Sequence, residues 1–354
     1  MYQLCAKIRD MSPYTPQTGE YPVRLDANES FIAPPDWLRR KLADAAAAVS
    51  FSRYPDPAAD GLCAAFAACH GLDPAAVTAG NGSDELISIL AACFLQAGDR
   101  VVVPAPDFSM YAFYAGLYEK SVVTVEKDER LECTADAVIQ AVQESGAAAV
   151  LFSNPCNPTG QGLRREEVRR IVTAVDALVV LDEAYMDFWD ESLLPEATAY
   201  DNLIVLKTCS KALGMAALRL GFAVANPTLT GALRAVKSPY NVGAVTQAIG
   251  RAVLEEQAYL RDCNASILRQ RDALYTALTA LNDRLALGWR VWPTKTNFVL
   301  FRTSDSPALH RKLLERGVAV RCLGDCLRVT APSPEELPVL LAALEDCVKG
   351  EADA

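Results

Sequence analysis

Five apolar runs of strand length recur between residues 101 and 208, and segments with helical patterning separate them. They read VVVP at 101–104, SVVTVE at 121–126, AAVLFS at 148–153, LVVLDEAY at 178–185 and NLIVLKT at 202–208. Helices are predicted between them at 109–117, 135–144 and 165–175. Such alternation builds a mainly parallel sheet covered on both faces, where strands read as unbroken apolar runs. Ahead of these lie predicted helices at 36–49, 62–69 and 85–95, with a short strand at 76–79.

After residue 226 the pattern changes. A long helical region at 245–281 precedes WRVWPTKTNFVLFR, a helix at 307–316, the short strands VAVRCL and CLRVTA, and a final helix at 334–349. A chain of 354 residues exceeds what one core usually organises. The expected fold class is therefore α/β: a large mainly parallel-sheet α/β domain plus a smaller α+β domain. The expected division is an irregular arm at 1–30, the large domain at 31–242 and the small one at 243–354, with SPYNVG at the boundary.

Several function classes are disfavoured. No apolar run approaches the roughly 20 residues that span a bilayer. MYQLCAKIRDMSPYTP has no apolar leader core, so a cytoplasmic location is expected. A net charge of −10 speaks against nucleic acid. The eleven cysteines form no CxxC pair, so reduced thiols and no metal are expected. His70 and His310 are the two histidines, which leaves little for a histidine-based hydrolase.

Ligands in such sheets bind at the carboxyl ends of strands. Lys211 follows NLIVLKT, Asp182 and Tyr185 close LVVLDEAY, and Asn154 and Asn157 follow AAVLFS in NPCNPTG. Each has an ordinary explanation: a capping aspartate, a turn asparagine, a solvated lysine. Arg219, eight residues after Lys211 in SKALGMAALRLGF, could simply pair with a carboxylate. Together those explanations are poor, and one chemistry uses all of them. A lysine crowded by Ala212, Leu213, Met215 and Ala216 loses its proton more readily and can condense with an aldehyde. An aspartate beside a pyridine nitrogen keeps that ring an electron sink. Arg219 offers a forked donor for phosphate. The turn GNGSDE, opening a helix, offers free amides and the positive end of the dipole. Asp84 and Glu85 have the wrong sign for phosphate, so their amides are expected to face it with the carboxylates turned away. Ser83 also reads as an N-cap.

GNGSDELI, DFSMY, SNPCNPTG, VVLDEAY and SKALGMAALRLGF together resemble the fold-type I, class I/II pyridoxal-phosphate aminotransferases, over nearly the whole chain. LDANES, RYPDP and CLRVT look most like the histidinol-phosphate branch of that family. The resemblance implies pyridoxal 5'-phosphate as cofactor, with Lys211 bonding its aldehyde and shuttling protons. It puts Asp182 at the pyridine nitrogen, Asn157 and Tyr185 at the ring hydroxyl, and Tyr111 against the ring face, the alternative for Tyr111 being a core aromatic. Gly82, Ser83 and Asp84 would hold the phosphate through amides, and Thr208, Ser210 and Arg219 through side chains. Tyr54 would reach the cofactor of a neighbouring subunit, which implies a homodimer. Arg328 would bind the substrate carboxylate or phosphate, with Asn157, Arg321 and Tyr14 as further substrate contacts. Small amino and keto substrates follow, with no nucleic acid, membrane or metal.

The implied reaction is transamination of L-histidinol phosphate with 2-oxoglutarate. The chain departs from the common pattern at Ala217, in AALRLGF, and in VTAPSPEE after Arg328. An aromatic or broad-specificity aminotransferase and a threonine-phosphate decarboxylase remain alternatives with the same machinery. A pyridoxal-binding regulator would need a DNA-binding module that is missing here. The Asn157–Pro158 bond is expected to be cis.

Overall fold

The computed structural model describes residues 2–9, 11–13 and 15–349. Its strands are β1 (Val23–Arg24), β2 (Val77–Gly80), β3 (Arg100–Ala105), β4 (Ser121–Glu126), β5 (Ala149–Ser153), β6 (Leu178–Asp182), β7 (Leu203–Thr208) and β8 (Gly221–Val224). The last seven form one sheet in the order β2-β8-β7-β6-β5-β3-β4. Within it β3 to β7 run parallel, and β8 runs antiparallel to both of its neighbours. Every residue of β5, β7 and β8 is buried, as expected of strands covered on both faces.

One face of the sheet packs on helices Asp60–His70, Ala135–Ser145 and Arg165–Ala174 through Phe66, Val138 and Ile171. The other packs on helices Ser83–Cys93 and Pro227–Val236 through Leu86, Ile87 and Leu233. Strand β8 and the helix Pro227–Val236 are additions to the expected elements. GFAV is short, and it hides behind the loop that carries Lys211. The helix did announce itself: Asn226 accepts from the Leu229 amide at 2.9 Å and Pro227 fills the first turn.

The second unit contains β9 (Arg290–Val291), β10 (Phe298–Arg302), β11 (Val318–Ala319), β12 (Arg321–Leu323) and β13 (Cys326–Thr330). An antiparallel sheet runs β12-β13-β10-β9, and β1 pairs parallel with β11. Helices Ser306–Glu315, Glu336–Lys349 and the C-terminal part of Gln257–Leu285 close its core through Leu313, Leu340, Leu274 and Leu278.

Three expected boundaries shift. The helical region at 245–281 is two helices, Ala244–Leu254 and Gln257–Leu285, and Lys41 holds Glu255 and Glu256 at the break at 3.1 and 2.6 Å. The arm at 1–30 does not stay apart, because Val23 and Leu25 are buried in the second core. The division at 242/243 is also displaced. Val253 and Leu254 still pack in the large-sheet core, so the chain passes from one core to the other within Gln257–Leu285. No helix among the described residues is long and apolar enough to cross a membrane.

Candidate active site

β7 ends at Thr208, and the chain then makes a compact loop before β8. Gly214 turns it: at φ +66°, its amide donates to the Lys211 carbonyl at 3.0 Å, and a side chain there would crowd Ser30 at 3.1 Å. The loop carries Lys211 near its start and Arg219 near its end, with Ala212 and Met215 buried between them. The Lys211 side chain is half-buried by area, yet its ammonium lies down in a cleft. Its Nζ donates to the Ala27 carbonyl at 2.9 Å and stands 6.0 Å from the centre of the Tyr185 ring. Burial pushes this ammonium down to about 8, and the Arg328 guanidinium adds to the push.

Asp182, at the end of β6, is buried. It accepts from the Ala184 amide at 3.0 Å and from the Tyr111 hydroxyl at 2.9 Å. Burial pushes its carboxyl up to about 6, and those two hydrogen bonds restrain the rise. Tyr185 is also buried, and its hydroxyl accepts from Asn28 Nδ2 at 2.9 Å. Burial raises this phenol, while Arg328 and Asn28 draw it back. Asn157 lies four residues past β5 and joins Pro158 through a cis bond, and its Oδ1 accepts from Arg328 Nη1 at 2.5 Å. Arg328 lies buried on β13, donates to the Asp26 carbonyl at 2.7 Å, and sits over the Phe298 ring at 5.3 Å. On the neighbouring strand Arg321 pairs directly opposite it.

A second cluster lies where Gly82 leads into the helix Ser83–Cys93. Gly82, at φ 85°, occupies the cap position and no side chain caps the helix. Ser83 is therefore the first helical residue and not the N-cap. A side chain at Gly82 would come within 2.9 Å of Arg219 Nη2, and one at Gly221 within 2.3 Å of the Ser83 amide. Arg219 donates to Ser210 at 3.4 Å, and Thr208 and Ser210 bond each other at 3.1 Å. The acids are turned elsewhere: Asp84 accepts from the Tyr114 hydroxyl at 3.0 Å and Glu85 from the Asn81 amide at 2.6 Å. Uncapped amides, two hydroxyls and a guanidinium surrounding space that only glycines leave open make an anion cradle.

Tyr111 departs from its expected place. At 1% exposure its ring has no open face, and its hydroxyl braces Asp182 from behind. The half-buried aromatic beside it is Phe108, whose ring meets Tyr111 edge-on with centroids 5.5 Å apart. Tyr54 is not drawn into the site; it is 82% exposed and stacks on Tyr240 at 4.6 Å. Tyr14 lies outside the described residues. The reading of the sequence missed the strap Asp26–Ala27–Asn28, whose consecutive residues hold Arg328, Lys211 and Tyr185. LDANES carries these residues and marks the family resemblance, but it assigns them no contact; Asn28 sits here at φ 54°.

The model of the family described as "Aminotransferase class I and II" matches residues 20–344. The chain belongs to the class I and II aminotransferases. A histidinol-phosphate aminotransferase of Clostridium kluyveri is 37% identical to this aminotransferase over 347 residues, covering 97% of each chain. The histidinol-phosphate aminotransferase of Sinorhizobium meliloti, solved in complex with pyridoxal-5'-phosphate, superposes with a TM-score of 0.89 at 23% identity, covering 99% of this chain and 98% of that one. The L-threonine-O-3-phosphate decarboxylase of Porphyromonas gingivalis superposes at 0.79 with 24% identity, over 92% and 99%. Fold-type I aminotransferases are generally dimers that act on small substrates.

Proposed function

We propose that this aminotransferase uses pyridoxal 5'-phosphate to exchange the amino group of L-histidinol phosphate with 2-oxoglutarate, giving imidazole-acetol phosphate and L-glutamate in histidine biosynthesis. The observation that carries the substrate reading is Arg321 opposite Arg328, two forked cations on adjacent strands. The full-length likeness to the Clostridium kluyveri histidinol-phosphate enzyme supports it. One arginine suffices for a carboxylate alone. A pair suits an enzyme that must accept phosphate from one substrate and carboxylate from the other.

The residues present fit the cofactor. Gly82, Ser83 and Asp84 would meet its phosphate with backbone amides, and Thr208, Ser210 and Arg219 with side chains. Asp182 would face its pyridine nitrogen, and Asn157 and Tyr185 its ring hydroxyl. When bound, the cofactor supplies an aldehyde and an electron-withdrawing ring that makes the substrate Cα–H acidic.

The chain's own groups do the rest. Lys211 Nζ, with its proton affinity lowered by burial, would hold the cofactor through its aldehyde and, when free, would take the proton from the substrate α-carbon. Asp182 stays anionic at neutral pH because Tyr111 and the Ala184 amide offset its burial. Arg328 would bind the substrate anion beside Lys211, held in place by Asn157 and the Asp26 carbonyl. The Ala27 carbonyl gives the lysine a resting partner within the cleft.

The proposal extends to the assembly. We take the working form to be a homodimer in the cytoplasm, with Tyr54 of each chain reaching the partner's cofactor phosphate. Its outward position beside Tyr240 supports that role. The deciding experiment is a side-by-side assay of histidinol phosphate, phenylalanine and threonine phosphate. We expect the highest kcat/KM for histidinol phosphate. A preference for phenylalanine by about ten-fold, or carbon dioxide release from threonine phosphate, would overturn the assignment.

A further inference from the structure

A cavity of about 710 Å³ lies beside the turn that carries Asn157, lined by Asn154, Cys156 and Thr159 of that turn, and Lys211, Asp182, Tyr185 and Arg328 form none of its walls. Lys127 and Cys156 both line it. Lys127 follows β4, and Cys156 sits in the turn after β5, immediately before Asn157. Lys127 Nζ lies 3.0 Å from Cys156 Sγ. Both groups are nearly inaccessible except through the cavity: the lysine side chain is 4% exposed and the cysteine 3%.

A buried ammonium needs compensation. Asp107 is the nearby carboxylate, but it stands 3.9 Å off. Its oxygens already accept from the Phe108 amide at 2.7 Å, the Ser153 amide at 3.2 Å and the Ser153 hydroxyl. The Pro106 carbonyl takes one lysine proton at 2.7 Å. The thiol is thus the closest ionisable group to Lys127. Burial and Asp107 push the Cys156 thiol up, and the Lys127 ammonium pulls it back, so the reactivity of the sulfur is tied to the lysine.

We propose that Lys127 and Cys156 form a reversible oxidative crosslinking site, joined through one bridging oxygen when hydrogen peroxide enters the cavity. One peroxide takes the thiolate to a sulfenic acid, and the displaced hydroxide takes a proton from the Lys127 ammonium and leaves as water, so the amine is left neutral. A second takes the unprotonated amine to a hydroxylamine, releasing water. The hydroxylamine oxygen then attacks the sulfenic sulfur, the O–S bond forms, the S–OH bond breaks, and a third water leaves. Sulfur and nitrogen each lose two electrons, and both peroxides are reduced. A single oxygen fits between atoms already in contact, whereas a direct N–S bond would require them to close much further. The link pins the turn that carries Asn157 to the end of β4, which couples oxidation in the cavity to the site.

The test uses the full-length enzyme with its cofactor, treated with hydrogen peroxide, digested without reductant and mapped by mass spectrometry. The expected product is a linked peptide pair containing Lys127 and Cys156, heavier than its two parts by one oxygen and lighter by two hydrogens. Excess dithiol should remove the link and restore lost turnover. It should be absent from Cys156→Ser and from Lys127→Arg, which keeps the charge and serves if the serine variant does not fold. Cys133 lines the same cavity. A Cys133–Cys156 disulfide, a direct N–S link, or Cys156 sulfinic acid beside unlinked Lys127 would overturn the proposal. So would an unmodified pair under conditions that oxidise the exposed Cys5 and Cys93.

Discussion

Arg321 and Arg328 face each other across antiparallel strands β12 and β13, one cation directly opposite the other. Like charges so placed destabilise a sheet unless an anion comes between them. Replacing Arg328 by Ala should lower kcat/KM for both substrates by roughly 10- to 100-fold, the usual worth of a hydrogen bond to a charged group. Replacing Arg321 by Ala should raise KM for the phosphate-bearing substrate far more than for glutamate. Steady-state kinetics with each substrate separates the two roles.

The low proton affinity of Lys211 sets a pH dependence. Its amine must be neutral to bond an aldehyde, and its ammonium titrates near 8 in the folded chain. The rate of reconstitution of the apoenzyme with pyridoxal phosphate should therefore climb from pH 6, pass its midpoint at about 8 and level roughly one unit above that. The stability sign is the reverse of an ion pair's. Below 8 both folded and unfolded chains hold the proton, and the folded chain carries the full cost of a buried cation. That cost disappears as pH rises from 8 to the lysine's ordinary 10.5. Lys211→Met should raise the apoenzyme Tm at pH 7 relative to the parent, by a margin that shrinks toward pH 10.

Tyr111 acts on Asp182 and so should be separable from ring contact. In Tyr111→Phe the ring remains but the hydrogen bond at 2.9 Å is lost. Asp182 should then titrate above its present value of about 6. An acid raised in the folded state costs stability as pH climbs from its ordinary 3.8 through the folded value, so the variant apoenzyme should lose more Tm between pH 4 and pH 7 than the parent. A loss of about 1–3 kcal/mol at neutral pH is expected for the unpaired carboxylate oxygen. Matched thermal melts at the two pH values decide it.

Gly82 keeps the anion cradle open. Gly82→Ala puts a methyl 2.9 Å from Arg219 Nη2 in a backbone conformation unsuited to a side chain. The backbone strain alone is about 1–3 kcal/mol, because φ 85° with ψ 161° is a conformation essentially confined to glycine. Cofactor affinity, read by equilibrium titration of the apoenzyme, should fall about ten-fold with secondary structure intact. Unchanged affinity would show that the phosphate binds elsewhere.

Tyr54 gives the assembly its test. Tyr54→Ala removes a ring that is 82% exposed in the single chain, so the fold should be untouched. Cofactor affinity should nonetheless fall, and sedimentation should show a dimer for both proteins. A fully active monomer would exclude a residue supplied across an interface.

The large sheet was readable because its strands are unbroken apolar runs, and Asp182, Tyr185, Asn157 and Lys211 lie where those runs stop. β8 was not readable: four residues beginning with glycine carry little pattern, and only their neighbours make them a strand. Tyr111 was misplaced because sequence gives a residue's position along a helix, not whether its ring faces a cleft or a core. The strap through Asp26, Ala27 and Asn28 lies in the quoted LDANES, but its contacts could not be read for another reason. Two of its three contacts to the site run through backbone carbonyls, which every residue possesses, and the partners lie 157 to 302 positions away.

The reversal of β8 has a consequence for how the cofactor site can vary. Because β8 runs against β7, Gly221 pairs beside Thr208 and the chain returns to the same rim of the sheet it has just left. A strand in the common direction would have begun at the opposite rim, with Arg219 stranded there. On the proposed assignment, the U-turn would let one short loop anchor both ends of the cofactor, and the span between those anchors would act as a fixed ruler. An insertion or deletion between Lys211 and Arg219 would mis-size the ruler for its ligand, while substrate-side changes on β12 and β13 leave it alone. New substrates are therefore most readily reached from the second sheet.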